Sequence, residues 1–281
     1  MHQRYKNLEL VIATKHKKEA VLAPVFVSKL GVNCRTIENF DTDQFGTFSG
    51  EVERLDSPLE AARKKNRFAH EMTGCALAVA SEGSFGQHPH LFFVPGNEEL
   101  LLFSDFENGL EIVEKSIVTE TNFAGQCIHS WKEAVAFAEK IGFPESAIIL
   151  RKSESSHEDI VKGITDPKQF QEAVKNQLKN HQELWLETDM RAHLNPQRMA
   201  HIGALGKKLS ERILSACPSC QSPGFGPVKN IAGLPCQLCS RPTRSIKTQV
   251  WGCVKCDHQE EKKHPNKKEF EDPMYCDFCN P

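Results

Sequence analysis

Four cysteine pairs near the end of the sequence have the spacing of zinc-binding knuckles. At the cysteine frequency of this chain, chance would give about 0.4 such pairs. Two thiolates three residues apart can hold one face of a tetrahedral ion, and a second pair completes the site. The cysteines therefore predict two structural zinc ions. The predicted ligands are Cys217, Cys220, Cys236, Cys239, Cys253, Cys256, Cys276 and Cys279.

The spacing does not fix which pairs combine. Consecutive pairs are separated by 15, 13 and 19 residues. These gaps favour a sequential arrangement, first pair with second and third with fourth, because zinc ribbons use such spacings. A nested arrangement, outer with outer and inner with inner, stays open because the stretch 246–251 could form a hairpin between the inner pairs. Disulfide bonds are the alternative to zinc, and the reducing compartment expected for this chain argues against them.

The cysteine-rich tail, residues 217–281, contains nine Lys and Arg against seven Asp and Glu. Each zinc ion with four thiolates adds net negative charge, so the metallated tail is not basic. This argues against nucleic acid as its main partner. Contact with nucleic acid or a protein through the lysine-rich stretch 260–269 remains an alternative.

Cationic side chains crowd two loops of the first 216 residues. Short cationic turns before a helix suit phosphate oxygens, which the helix N-terminus and the side chains bind together. The first such loop follows the first predicted strand, and the second precedes the last predicted helix. The candidate phosphate-binding residues are Thr14, Lys15, Lys17, Lys18 and Arg191.

Carboxylates lie in loops that follow predicted strands. Open α/β sheets bind ligands at the ends of their strands, so we expect these side chains to meet around a ligand. Carboxylate oxygens are also the ligands that Mg²⁺ prefers. The carboxylates in these loops are Asp41, Asp43, Glu51, Glu82 and Asp189.

Histidines offer a different metal site in the same loops. His88, His90 and His193 could bind a transition metal together with Asp189. Hydrogen-bonded structural histidines are the more frequent case.

The cysteines outside the tail are Cys34, Cys75 and Cys127. Their neighbours do not suggest a thiolate nucleophile, so we expect all three to pack as buried apolar side chains.

Strand-like and helix-like stretches alternate through residues 1–216, which predicts an α/β domain with a layered mixed sheet and flanking helices. Residues 217–281 form the predicted double zinc ribbon. The predicted strands cover 8–13, 32–37, 75–81, 91–94, 100–105, 110–118, 147–151 and 183–187. The predicted helices cover 17–30, 58–73, 131–141, 167–180 and 196–216.

Composition limits the class of protein. The chain is 39% hydrophobic and 26% charged, and its formal net charge is −2, so no bulk positive field draws it to DNA or anionic lipid. The longest apolar run, 75–80, is too short to cross a bilayer. A globular cytoplasmic protein without a membrane partner is therefore expected.

Several segments together resemble an uncharacterised bacterial family that carries a domain of unknown function. The segments are TKHKKE, DTDQFGTFSGE, SPLEAARKK, ASEGSFGQHPH, ETDMRAHLNPQRM and the terminal YCDFCNP. The resemblance extends over nearly the whole chain and implies no particular activity.

Residues 8–125 are also similar to the house-cleaning nucleoside triphosphate pyrophosphatases, which remove inosine or xanthosine triphosphate. The likeness lies in the order of strand, cationic turn, helix, long loop, AAR-containing helix and a strand ending in Glu82-Gly83. It implies that Thr14 and Lys18 contact phosphate, that Arg63 flanks the pocket and that Glu82, with Asp41 or Asp43, holds magnesium. On the same resemblance, Glu51 or Asp189 is the expected general base. Two features depart from that family: the usual asparagine of the first turn is absent, and Ser84 follows Gly83.

Together these features favour a metal-dependent hydrolase acting on a nucleotide or another phosphorylated small molecule. The alternative is a zinc-ribbon adaptor or nucleic-acid-associated binding protein without catalysis.

Overall fold

The computed structural model describes residues 4–37, 56–89, 91, 93–156 and 158–281. Contacts within the chain divide it into two compact units. The first reaches to Leu209, and the second is Ser210–Pro281.

A five-stranded mixed sheet forms the first part of the larger unit. Its strands, in the order β2-β1-β3-β4-β5, place β1 and β3 at the centre, with β1, β2 and β3 parallel and the rest antiparallel. The chain runs through β1 (Glu9–Ala13), α1 (Glu19–Leu30), β2 (Asn33–Thr36), α2 (Pro58–Thr73), β3 (Leu77–Gln87), β4 (Pro95–Asp105) and β5 (Leu110–Val118).

The two faces of this sheet are both buried around its centre. Val11, Ala78 and Leu102 pack with Ala62 and Ala69 of α2. The alternate residues of the same strands, such as Leu10 and Leu77, face the other side. Because both faces are covered, the central strands read as continuous apolar runs, as buried parallel strands do.

Helix α2 has the bounds that its capping residues predict. The Ser57 hydroxyl accepts a hydrogen bond from the Glu60 N–H at 3.3 Å, and Pro58 occupies the first helical position. Gly74 ends the helix in the left-handed conformation, with φ of 68°.

A second, four-stranded antiparallel sheet has the order β6-β9-β7-β8. Helices α3 and α4 supply Phe137, Phe170 and Val174 to the core on one side of it. The elements are β6 (Gly125–Ile128), α3 (Trp131–Ile141), β7 (Ile148–Arg151), β8 (Val161–Ile164), α4 (Pro167–Gln177), β9 (Leu184–Thr188) and α5 (Pro196–Leu214).

The smaller unit contains an antiparallel sheet of three strands. They are β10 (Gly226–Ala232), β11 (Ile246–Gly252) and β12 (Gln259–Lys263), with β11 in the middle. The cysteine pairs lie between and beyond these strands.

The α/β class and the zinc-binding tail are confirmed, and two details differ. The described strands of the larger unit form two sheets. The predicted strand 91–94 is wrong: Val94 N–H donates to the Leu91 carbonyl and His88 N–H donates to the Val94 carbonyl, so this segment turns the chain from β3 into β4.

The expected burial of Cys127 is also wrong. Cys127 is exposed, whereas Cys34 is half-buried and Cys75 is buried. In β6 the neighbouring Ile128 points into the core, and the alternation of a strand turns Cys127 to the opposite, solvent-facing side.

None of the helices in the described ranges combines the length and the apolar character that crossing a lipid bilayer requires.

Candidate functional site

Two clusters of four cysteines are confirmed in the tail. The first, here the A cluster, joins Cys217 and Cys220 to Cys253 and Cys256. The second, here the B cluster, joins the remaining pairs, Cys236 with Cys239 and Cys276 with Cys279. In each cluster the sulfurs lie within 4.8 Å of one another.

The sulfur positions suit a tetrahedral metal. Cys217 Sγ lies 3.7 Å from Cys256 Sγ, and Cys239 Sγ lies 3.6 Å from Cys276 Sγ. Zinc–sulfur bonds of about 2.3 Å in a tetrahedron place the sulfurs about 3.8 Å apart. A disulfide would bring them to about 2.05 Å. Both clusters therefore suit structural zinc ions, and they make the chain a metal-binding protein.

Backbone N–H groups assist the thiolate form. The N–H groups of Phe278 and Cys279 lower the pKa of Cys276 to about 7. In the A cluster, Lys255 N–H donates to Cys253 Sγ at 3.3 Å. These donors stabilise the charge that a zinc ligand carries.

The sequential arrangement of the cysteine pairs is wrong, and so is the nested one. The first pair combines with the third and the second with the fourth. The sheet explains this, because β10 leads the chain away from the first pair and antiparallel β11 leads it back. The third pair follows Gly252 of β11, and Gly252 lies opposite Gly226 of β10. Spacing along the chain does not contain this information.

The larger unit contains a cluster of charged side chains just beyond the end of β1 and along the middle of β3 and β4, here called the buried charged cluster: Lys18, Lys65, Glu82, Glu99 and Arg198. Glu82 therefore lies within β3, not in a loop that follows the strand as predicted. All five are at least nine-tenths buried. Groups of this kind are seldom buried unless they are paired, so their placement needs a physical reason.

Lys18 enters the cluster from the start of α1. Its Nζ donates to the backbone oxygen and to the hydroxyl of Ser81, both at 3.1 Å. Burial, and then the nearby Arg198 guanidinium, lower the pKa of Lys18 to about 7. Glu99 and Glu82 act in the opposite direction. The described hydrogen-bond acceptors of Lys18 are thus neutral oxygens.

The other buried cations each pair with a carboxylate. Lys65 Nζ of α2 lies 2.5 Å from Glu82 Oε1. Arg198 Nε of α5 lies 2.6 Å from Glu99 Oε1, and both of these side chains are fully buried. Gly83 allows this second pair, because a Cβ there would collide with the guanidinium and the carboxylate.

Arg198 also connects the cluster to the loop between β9 and α5. The Arg198 Nη1 group donates to the Met190 carbonyl, and the Arg198 backbone N–H donates to Asn195 Oδ1 at 3.0 Å. Next to Met190, the buried Asp189 carboxylate binds the Arg191 guanidinium at 2.6 Å and accepts from Gly163 N–H at 3.1 Å. Asp189 therefore orients Arg191.

His16, in the turn after β1, stacks on His193, in the loop between β9 and α5. The ring centroids are 5.2 Å apart, and the angle between the rings is 11°. Burial, followed by the charge of Lys18, lowers the pKa of His16 to about 3. Burial and then Arg191 lower the pKa of His193. Both rings therefore favour the neutral form near neutral pH, which avoids further positive charge.

Only some of the predicted site residues lie in or beside the buried charged cluster. Thr14 is buried and accepts a hydrogen bond from His16 N–H at 3.3 Å, while Lys15 and Lys17 are exposed. Arg63 binds Glu111 at 2.8 Å instead of a member of the cluster. Asp41, Asp43, Glu51 and His90 lie outside the described residues.

The alternative histidine site is not assembled in the described part of the chain. The groups of potential metal ligands found there do not include His88, His193 or Asp189.

Sequence reasoning missed Lys65, Glu99 and Arg198. A signal existed for Lys65, because it shares the buried face of α2 with Ala61, Ala62 and Ala69. A charge on an apolar helix face indicates a buried partner. Glu99 is followed by buried apolar residues on both faces of β4. Its position in the strand therefore does not indicate from the sequence that it is buried.

Comparisons with known proteins add a family and a remote structural likeness. The model of a family described as a domain of unknown function (DUF6671) matches residues 65–281. The crystal structure of protein VC0702 from Vibrio cholerae is similar at a TM-score of 0.32 and 11% identity, covering 72% of this chain and 93% of that one. No curated protein matches.

Proposed function

The chain belongs to the DUF6671 family, and we propose that it is a hydrolase that acts on a nucleotide or another phosphorylated small molecule. In this proposal the buried charged cluster binds the phosphate, and the two zinc ions are structural.

The observation that carries the proposal is the burial of Lys18 against neutral oxygens. A buried ammonium group loses hydration energy that only a nearby negative charge restores well. Lys65, Arg198 and Arg191 have carboxylate partners, whereas the described contacts of Lys18 are to Ser81. Glu82 and Glu99 act on Lys18, but they pair with Lys65 and Arg198, so a phosphate oxygen would supply a direct charged partner.

Geometry adds to this argument. Lys18 stands at the beginning of α1, where the helix dipole and N–H groups favour an anion. β2 and β3 lie on either side of β1, so α1 starts at the point where the strand order reverses. Ligands of open α/β sheets bind at such points.

Asn97 favours a ligand with a hydrogen-bond donor. It is 2% exposed, and its Oδ1 has no hydrogen-bond partner among the described residues. Asn97 lies on the same side of β4 as Glu99, two positions away. A hydroxyl or ring N–H of a nucleotide would satisfy this oxygen.

In hydrolysis, Lys18 would hold a phosphate oxygen and stabilise the negative charge that grows during attack by water. Asp189 would keep Arg191 oriented for a second oxygen. Magnesium would supply further charge neutralisation, but Glu82, the described carboxylate expected to bind it, already contacts Lys65. We therefore assign no step to that ion.

Binding of pyrophosphate and of a panel of nucleoside triphosphates, measured by calorimetry, tests the site. Lys18→Met should weaken binding roughly 10- to 100-fold, because a hydrogen bond to a charged group is worth about 1.5–3 kcal/mol. Lys29→Met, an exposed lysine in the last turn of α1, is the control and should change binding little. Equal affinities of wild type and Lys18→Met would refute the assignment.

Catalysis needs a separate measurement. Release of phosphate or pyrophosphate from the same compounds, with and without Mg²⁺, should be detectable in the wild type and reduced in Arg191→Met. Binding without release from any compound would leave a phosphate-binding protein and reject the hydrolase.

A second candidate function rests on the B cluster. Tyr275 and Phe278 are 62% and 59% exposed, and the Arg241 guanidinium lies 4.2 Å from the Phe278 ring centroid. Exposed aromatic rings beside cations can stack on unpaired bases. Salt-dependent binding of a single-stranded oligonucleotide that Phe278→Ala weakens, and that Met72→Ala on α2 does not, would favour this adaptor role.

A further inference from the structure

A third group of potential metal ligands lies in the larger unit, away from the cysteine-rich tail. Cys127, His129 and Glu183 each offer one ligand atom, and these atoms lie within 4.8 Å of one another. All three residues are exposed. They belong to the edge strand β6, the residue next to it and the residue before β9.

The strand pairing brings the three side chains to one face. Cys127 lies opposite Trp185, and Ile128 lies opposite Leu184. One step further, His129 comes opposite Glu183. Since alternate residues of a strand share a face, Cys127 and His129 point away from the core that Ile128 and Leu184 enter.

The donor set and its spacing select the ion. Cys127 Sγ lies 3.4 Å from Glu183 Oε2. Zinc bonds of about 2.3 Å to sulfur and about 2.0 Å to oxygen in a tetrahedron place these atoms about 3.5 Å apart. Thiolate and imidazole suit Zn²⁺, whereas Mg²⁺ requires oxygen ligands.

We propose that Cys127, His129 and Glu183 form a third zinc site, one that takes three ligands from the protein and leaves the fourth position to water or to a ligand. It differs from the A and B clusters, where four cysteines surround the ion. Three protein ligands and an open position are typical of exchangeable or reactive zinc.

The surroundings of Cys127 fit this assignment. The Glu133 carboxylate accepts from the His129 N–H at 2.9 Å and from the Ser130 hydroxyl at 2.8 Å, which fixes the chain at His129. Without metal, the Cys127 thiol faces the Glu183 carboxylate. Binding of Zn²⁺ would replace the thiol proton, which passes to solvent, and would offset the negative charge of both groups.

The metal content of the full chain tests the site. Protein that already holds two zinc ions is dialysed against micromolar free Zn²⁺, and bound zinc is measured by mass spectrometry. The wild type should reach three ions per chain. Cys127→Ser and Glu183→Gln should remain at two, with affinity for the third ion lowered at least about tenfold, because even residues that only support metal ligands have effects of this size. His181→Gln, a nearby histidine outside the group, should retain three.

Cobalt gives a second readout on protein that holds two zinc ions and has not been dialysed against further zinc. Co²⁺ bound to a thiolate absorbs in the near ultraviolet, so the wild type should gain this band, and Cys127→Ser should lack it. Circular dichroism checks that each variant is folded, which the exposure of the three side chains makes the expected result. A wild type that stops at two ions, or a Cys127→Ser protein that takes up a third, would overturn the proposal.

Discussion

Lys18 shows how burial can turn a common surface residue into a group that titrates near neutral pH. Desolvation, followed by the Arg198 guanidinium, lowers its pKa to about 7. The folded protein therefore holds this positive charge below pH 7 and loses it above. Since an anion favours the charged form, anion binding and protonation of Lys18 should be linked.

We expect the affinity for sulfate, an oxyanion that does not itself titrate in this range, to fall by up to about tenfold per pH unit above pH 7. Calorimetry between pH 6 and pH 9 measures this slope. Lys18→Met should bind weakly at every pH and show a flat profile. A wild-type affinity that stays constant over this range would mean that Lys18 does not bind the anion.

The Arg198–Glu99 pair should be important for stability because both side chains are fully buried. Arg198→Met leaves the Glu99 carboxylate buried without its partner, and loss of one member of a buried pair costs about 3–5 kcal/mol. Urea unfolding followed by tryptophan fluorescence measures the loss.

Two further variants distinguish the contribution of the Arg198–Glu99 charge pair to stability from the general effect of substituting an arginine. Replacing both residues, as Arg198→Met with Glu99→Leu, should recover part of the lost free energy, since no unpaired charge then remains. Arg35→Met removes an arginine that pairs with Glu9 at the surface and should change the unfolding free energy little. Equal losses in the single and double variants would show that packing, not charge, dominates at Arg198.

The first turn of α2 illustrates how a single residue specifies a helix start. Ser57 satisfies the Glu60 N–H, which has no partner within the helix. Ser57→Ala should lower the free energy of unfolding by about 1 kcal/mol. Ser153→Ala, an exposed loop serine, should have almost no effect in the same denaturant titration. If both variants unfold alike, the cap contributes nothing measurable.

The helices were predictable because their signals are local. Ser57 and Gly74 bound α2, and Ser130 and Gly142 bound α3, where the sequence places them. The strands β6 and β8 were missed, because each has four residues that include a glycine and a polar residue, whereas the equally short β7 is a mostly apolar run and was predicted.

The candidate site was predictable only in part. Thr14 and Lys18 follow β1, and their position at the end of a strand indicated a role with a ligand. Glu99 and Arg198 form a contact between residues 99 positions apart in the chain, which no local pattern encodes. The exposure of Cys127 likewise depends on which strand β6 pairs with, so it required the fold.

The cysteine-rich tail depends on two metal sites that share one small sheet. β10 and β11 each connect one cluster to the other, since the cysteine pairs alternate between the clusters along the chain. In small zinc-binding domains the free energy of metal binding contributes to the free energy of folding. Removal of zinc by a chelator should therefore unfold the tail. Residues up to Leu209 form a compact unit with its own cores and should keep their secondary structure.

Paired substitutions can test the alternating arrangement directly. Cys220→Ser with Cys253→Ser removes two ligands of the A cluster and should leave the B cluster able to bind one zinc ion. Cys220→Ser with Cys239→Ser removes one ligand from each cluster and should weaken both sites. In the sequential arrangement these two results would be exchanged, because Cys220 and Cys239 would then share an ion. Zinc content after dialysis at low free Zn²⁺ distinguishes the two cases, and both double variants lack the same number of thiols, so each serves as the control for the other.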